Sequence, residues 1–504
     1  MSITSLSFGL FLLITVIVYY TIPYKHRWMW LLTASIYFYA LSGTVILYVL
    51  GSSLSIYTAT ILIGRTSNNV RKKIILCLTL LLNFGVLAFF KYINFGIEQI
   101  NAVGSLLGNG IKVGKLNLIV PMGISFYTFQ SVGYLMDVYW GKIEYEKNWA
   151  KLLLFMLFFP HITQGPISDY KKLADQFYGT LSFNIRNYSF GCKRIIWGLF
   201  KKMVIADVLA VYVSEYFNSY NEYSGVGLLI GIFMYSIQLY ADFSGYMDIM
   251  CGFCEILGIT LEENFSRPYF STSVAEYWRR WHITLGAWFR NYLYYPINYS
   301  LARKKWQDTL RLRYGKKVAK RVAPTISLLV VWLATGLWHG ASWGFVAWGL
   351  LNGLIIIAEM WLEKTYEKIR RILRIRETSY RFKLFRMVRT YIITTVILSI
   401  PFIGSLSDAV LYYKRLIFCF ADNLSMHSII PQYTGLSTLL KLTVCGVGIV
   451  LFLTVSIMQE RGSAREQISN MNLLFRWGIY ILLAVMILVF GTAGGGEAFL
   501  YAQF

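Results

Sequence analysis

Residues 28–63, WMWLLTASIYFYALSGTVILYVLGSSLSIYTATILI, run for 36 positions without a charged side chain. The hydrocarbon core of a bilayer takes about 20 apolar helical residues. The stretch is therefore too long for one crossing, and Gly43 near its middle predicts a hairpin of two helices. Residues 5–22 (SLSFGLFLLITVIVYYTI) are also uncharged, and Tyr19, Tyr20, Lys25, His26 and Arg27 close them. A cleavable leader would have a charged start and small residues at its end, so an uncleaved helix is expected.

The same pattern continues along the chain. Residues 74–90, 226–257, 391–404, 436–457 and 477–490 read as further crossings, and 324–338 with 343–357 as a second hairpin whose tip is His339-Gly340. Residues 116–138 are apolar but hold Pro121, Gly123, Gly133 and Asp137, and the short run 149–159 ends in Pro160–Pro166. Broken apolar segments are tolerated at membrane depth where protein or a wet cavity surrounds them, so re-entrant pieces are expected. Residues 272–296, rich in Trp, Tyr and Arg, read as helix in or near the interface. The expected class is all-α: a polytopic integral membrane protein with about 10–12 transmembrane helices plus short re-entrant and interfacial ones.

Composition agrees. Of 504 residues 56% are hydrophobic and only 14% charged, against about 25% charged in soluble chains. That excludes a soluble enzyme on a single anchor, a disordered chain and a disulfide scaffold. The net charge of +23 would suggest nucleic acid in a soluble protein. Here it collects in loops 65–73, 302–321, 364–389 and 461–476, which the positive-inside rule places in the cytoplasm. Both termini then come out extracytoplasmic, with the His339 tip in the outer half, and no nucleic-acid partner is expected.

Ionisable groups inside a membrane are costly and mark functional sites by default. In EYWRRWHITL, helical spacing would put Trp278 and Arg279 on one face with His282. An interfacial aromatic belt accounts for the Trp and Arg residues there but not for the imidazole. In TGLWHGASWG, two glycines, an alanine and a serine let backbone or ligand approach His339 closely, and a neutral imidazole can serve as a general base. His161, near Gln164, could line a cavity or be structural. Asp242 and Asp248 lie six apart and share no helix face well. Asp242 is expected to pair with a cation or to cap a helix break at Gly245. Cys251 and Cys254 form CGFC, but neither a second pair nor a nearby His completes a zinc site, so no metal is expected. P-loops and GxGxxG turns are missing.

Three blocks together, YADFSGYMD (240–248), NFSRPYFSTSVAEYWRRWHITLGAWFRNYLYYP (264–296) and GLWHGASW (336–343), resemble the signature blocks of membrane-bound O-acyltransferases. The match is closest to the bacterial branch that acetylates alginate and peptidoglycan. PMGISFYTFQSVGYLMDVYWG (121–141), FFPHITQGP (158–166) and the ending FLYAQF (499–504) resemble it too. The resemblance implies one domain over 1–504 with a catalytic core at about 116–361. It also implies a catalytic His339, a second functional His282, and acetyl-CoA as the cytoplasmic donor with no bound cofactor. Asp242, Ser244, Trp278, Arg279, Trp281, Asn291, Trp338 and Gln164 are the candidates for the substrate and acyl path. Asn291 stands where the family has Asp, His161 where Gln is common and Asn352 where His is common. The implied acceptor is a hydroxyl of a polysaccharide or of an extracytoplasmic acyltransferase or acceptor protein, with membrane lipid around the chain in a bacterial plasma membrane. In the implied chemistry His339 takes the hydroxyl proton, and His282 orients the acyl group or stabilises the oxyanion. An acetyl-imidazole on His339 is the alternative. Two other functions stay open: D-alanyl transfer to teichoic acid from a carrier-protein thioester, and a lipid or glycan transporter without covalent chemistry.

Overall fold

The computed structural model describes residues 2–108, 112–301, 303–422, 424–431 and 436–491. The ending at 499–504 lies outside the described residues. Among these residues the chain is helical almost throughout. Its one strand-like pairing is a single antiparallel bridge between Phe265 and Trp281. Eight of the described helices are long and apolar enough to cross a membrane, and the chain is a multi-pass membrane protein.

Residues 28–63 form the expected hairpin, Arg27–Ala40 and Ile46–Arg65, turning at Gly43 with φ +81°. The count of eight falls below ten because the first two helices are short. Leu6–Thr21 has 16 residues and Arg27–Ala40 has 14, about 24 and 21 Å at 1.5 Å per residue, against a hydrocarbon core of about 30 Å.

Three expectations are corrected. Asn69–Leu106 runs on past Lys91 as one helix of 38 residues. The basic segment 302–321 is not a loop: the helix Lys304–His339 runs through it, interrupted at Gly315 (φ 81°, ψ 160°). Lys and Arg are good helix formers, so a charge run sets where water lies without ending the helix. Residues 272–296 are not one interfacial helix but Val274–Arg280, Ile283–Phe289 and a π-helical turn Arg290–Tyr294, followed by Tyr295–Leu301.

The chain divides into two compact units. The first takes residues up to Phe200 together with Gly245–Glu262, and the second takes Lys201–Ser244 and Glu263–Gly491. In the first unit the helix Ile124–Tyr139 is buried almost entirely. It starts after Gly123 (φ +68°), where a side chain would overlap the Ile162 carbonyl. Glycines 191 and 252 bring two helices of that unit backbone to backbone, each facing the other's carbonyl. Beside them Arg194 pairs with Asp248 at 2.9 Å. The second unit holds both candidate histidines.

Candidate active site

The hairpin Lys304–His339 and Trp343–Ile372 places the first of them. Its helices close on small residues. A Cβ on Gly336 would lie 2.5 Å from the Phe345 carbonyl oxygen, and one on Gly349 would strike the Trp332 carbonyl oxygen. The first helix stops at His339, where Gly340 turns to extended backbone (φ −170°, ψ 156°). The second starts at Trp343, with Ser342 Oγ accepting from Phe345 N at 3.4 Å. This tight turn buries His339 under the rings of Trp338, Trp348 and Phe345, with centroids 4.9, 4.8 and 6.3 Å away.

His282 does not share a helix face with Trp278 and Arg279. The helix Val274–Arg280 ends first. Trp281 is extended (φ −110°, ψ 129°) and bridges to Phe265, and His282 takes the left-handed conformation (φ 48°, ψ 51°) that opens Ile283–Phe289. A left-handed non-glycine residue persists where its surroundings over-determine it, often at functional sites. Here Asn264 does so. Its carbonyl accepts from Ile283 N at 3.0 Å, and its Oδ1 accepts from Thr284 N at 3.1 Å and Thr284 Oγ1 at 2.9 Å. The same Oδ1 lies 3.3 Å from His282 Nδ1. The Thr284 N–H fixes which end of the amide is oxygen, so Nδ1 must carry the proton and donate, and Nε2 is the lone-pair nitrogen. Burial holds the His282 imidazole down to about 3, so it stays neutral in ordinary buffers.

The two imidazoles meet. Their ring centroids are 6.3 Å apart at 67°, Trp338 contacts both, and Phe243 stands edge-on to His282 at 4.9 Å. Trp278 lies one ring further out, against Trp332 and Trp348 at 4.9 and 5.4 Å. Its Nε1 donates to Asn352 Oδ1 at 2.9 Å, and Asn352 Nδ2 donates to the Trp348 carbonyl at 2.9 Å. Trp281 is buried in a stack with Tyr277 at 5.6 Å. Arg279 and Asn291 are exposed, so neither sits with the histidines.

Asp242 has its cation. Lys202 Nζ lies 2.7 Å from Asp242 Oδ1 and 2.8 Å from Asp207 Oδ1, all three side chains buried. Lys201 Nζ donates to Ser244 Oγ at 2.7 Å, and Ser244 Oγ donates to the Tyr240 carbonyl at 2.6 Å. The two lysines come from the π-helical turn Lys201–Ala206. The break expected at Gly245 is absent, since Gly225–Ile256 is one continuous helix. Gln164 lies in the first unit, buried like His161, whose Nδ1 accepts from Gln130 Nε2 at 2.6 Å. Among the described residues no three His, Cys, Asp or Glu side chains gather into a metal site.

Sequence reasoning missed Asn264, Phe243 and Trp348. Asn264 opens one of the signature blocks, but nothing in its spacing points at His282. Phe243 and Trp348 look like ordinary apolar positions of long helices.

Comparison with known proteins gives the following. Residues 144–311 match the membrane-bound O-acyltransferase family. The probable alginate O-acetylase AlgI of Pseudomonas putida is 35% identical over 354 residues, which is 69% of this chain and 68% of that protein. The peptidoglycan O-acetyltransferase of Helicobacter pylori is 33% identical over 355 residues, 65% of this chain and 63% of that protein. The teichoic acid D-alanyltransferase of Bacillus subtilis is 28% identical over 261 residues, 50% of this chain and 62% of that protein.

Proposed function

This chain belongs to the membrane-bound O-acyltransferase family and is an O-acyltransferase, and we propose that it moves an acetyl group from cytoplasmic acetyl-CoA to a hydroxyl on the outer side of a bacterial plasma membrane. The acceptor is a cell-surface or secreted polysaccharide, reached directly or through an extracytoplasmic acyltransferase or acceptor protein. The observation that carries this reading is the buried pair of imidazoles, 6.3 Å apart within an aromatic wall. The greater similarity to proteins named for alginate and peptidoglycan O-acetylation than to one named for D-alanyl transfer supports acetyl as the group moved.

In this reading residues 116–361 hold the catalytic core and both termini face outward. His339 takes the proton of the acceptor hydroxyl as its oxygen attacks the thioester carbonyl. His282 has its Nδ1 proton committed to Asn264 and offers a lone pair at Nε2. That tautomer supports an orienting role toward a donor group of a substrate and argues against donation to an oxyanion. The cationic loops on the inner side attract the phosphates of the donor.

The test uses the whole protein in proteoliposomes with labelled acetyl-CoA, against alginate oligosaccharides and peptidoglycan fragments as acceptors. Transfer by the parent protein and its loss in His339→Ala are expected. Transfer of D-alanine from a carrier-protein thioester in place of acetyl would replace the acetyl reading. His339→Ala at the parent rate would remove His339 from the chemistry.

A further inference from the structure

The ring of Trp348 stands nearly perpendicular to that of His339, at 81° with centroids 4.8 Å apart. Its side chain is buried, and its indole N–H has no acceptor among the described residues. Buried polar groups are almost always satisfied, so an orphaned donor calls for a reason. The neighbouring ring makes the contrast. Trp278, 5.4 Å away in the same stack, donates its N–H to Asn352 Oδ1, and Asn352 spends its own amide N–H on the Trp348 backbone. The same cluster thus satisfies one indole and leaves the other open beside the imidazole that takes the proton.

Acyl transfer needs such a donor. Negative charge develops on the acyl carbonyl oxygen, and a fixed donor in a dry site stabilises it strongly. His282 is unsuited to that role, because its single proton faces Asn264. We infer that Trp348 Nε1–H donates to the carbonyl oxygen of the acyl thioester and stabilises the charge that forms there during attack. The inference rests on the acetyl-transfer reading. In the step, the acceptor hydroxyl oxygen bonds to the carbonyl carbon while its proton passes to His339. The carbonyl π pair moves onto the oxygen held by Trp348. That pair then returns, the C–S bond breaks, and the coenzyme thiolate leaves with the proton from His339.

Trp348→Phe keeps the ring and removes the donor. In the proteoliposome assay kcat is expected to fall about 100- to 1,000-fold, the loss seen when one oxyanion donor is removed, with KM for acetyl-CoA within about threefold. Isotope-edited infrared of 13C-carbonyl acetyl-CoA bound to the His339→Ala protein gives a readout that simple packing would not move. Adding Trp348→Phe should raise the carbonyl frequency, whereas adding Trp278→Phe should leave it in place. Where Trp348→Phe fails to elute as a folded protein, Trp348→Leu, which also lacks a donor, serves the same comparison. A kcat within about threefold of the parent, or an unmoved carbonyl band, overturns the inference and leaves the indole N–H directed at a neighbouring aromatic face. A parent protein that transfers no acetyl group overturns the acetyl reading and this inference with it.

Discussion

The imidazoles of His282 and His339 lie 6.3 Å apart at 67°, yet the backbone delivers them in opposite ways. His339 is the last residue of a long helix, set at a glycine turn. His282 is a left-handed joint between two helices of seven residues, held by the Asn264 side chain. One imidazole is placed by helix packing and the other by a single amide oxygen. Their sensitivities to mutation differ accordingly.

Asn264 should matter for activity nearly as much as His282. Asn264→Ala strips the acceptor from Thr284 N–H, the Thr284 hydroxyl and His282 Nδ1–H at once. A buried donor left unsatisfied costs about 1–3 kcal/mol, and the His282 tautomer is no longer set. We expect His282→Gln to lower the acetyl-transfer rate in part, Asn264→Ala to lower it comparably, and Asn264→Asp, which keeps the oxygen, to recover most of the loss. Steady-state kcat of the three proteins decides it, and Asn264→Ala at the parent rate would show that the amide sets no catalytic geometry.

Much of this was legible in the sequence, and the limits have physical causes. Uncharged runs predict membrane helices because bilayer thickness sets their length, and the hairpin around Gly43 and the tip at His339 emerge as read. Helix periodicity placed Trp278 with His282. It failed because the residues that break the helix act from a distance: Phe265 pairs with Trp281, and Asn264 anchors the start of the next helix. A tertiary override of this kind has no local signature. Asp242 was legible as a group needing a cation, but the identity of Lys202 depends on a π turn that no local pattern announces.

Burial of His282 also predicts how stability depends on pH. Its imidazole is held down to about 3 by desolvation, and that of buried His161 to about 3 by the same cause, against about 6.5 in an unfolded chain. Between those values the unfolded state binds more protons, so stability rises with pH across that window and is flat above it. The unfolding temperature in detergent should therefore drop as pH falls below about 6.5. His282→Gln should flatten that slope in part, with His161 still contributing. An unchanged slope in the variant would mean that the ring is hydrated.

The Lys202 cluster should act on folding rather than on the chemical step. Breaking a buried ion pair by removing one partner typically costs about 3–5 kcal/mol, because the other charge is stranded. Asp242→Ala removes one of the two carboxylates that Lys202 contacts and keeps Asp207, so a fall in unfolding temperature is expected. Lys202→Met takes the shared ammonium from both carboxylates and should be worse. Adding Asp242→Asn to Lys202→Met removes one of the two buried negative charges and should recover stability. Thermal unfolding of the three proteins in one detergent tests the order, and equal stabilities would mean that the cluster is solvated.

The hairpin that carries His339 offers the sharpest steric test. Gly336 and Gly349 let its two helices touch backbone to backbone, and a methyl group on either meets a carbonyl oxygen that has no rotamer to yield. Forcing extra atoms into a packed core costs about 1–3 kcal/mol. The strain falls within one helical turn of His339 on one helix and beside Trp348 on the other. Gly336→Ala and Gly349→Ala should each lower stability by about that amount and should also depress acetyl transfer by separating Trp348 from His339. Gly446→Ala, on a helix of the same unit where a Cβ meets nothing within 4 Å, should do neither. The paired readout of unfolding temperature and kcat separates the two effects. Full activity in Gly349→Ala would show that the closeness of Trp348 to His339 is not required for transfer.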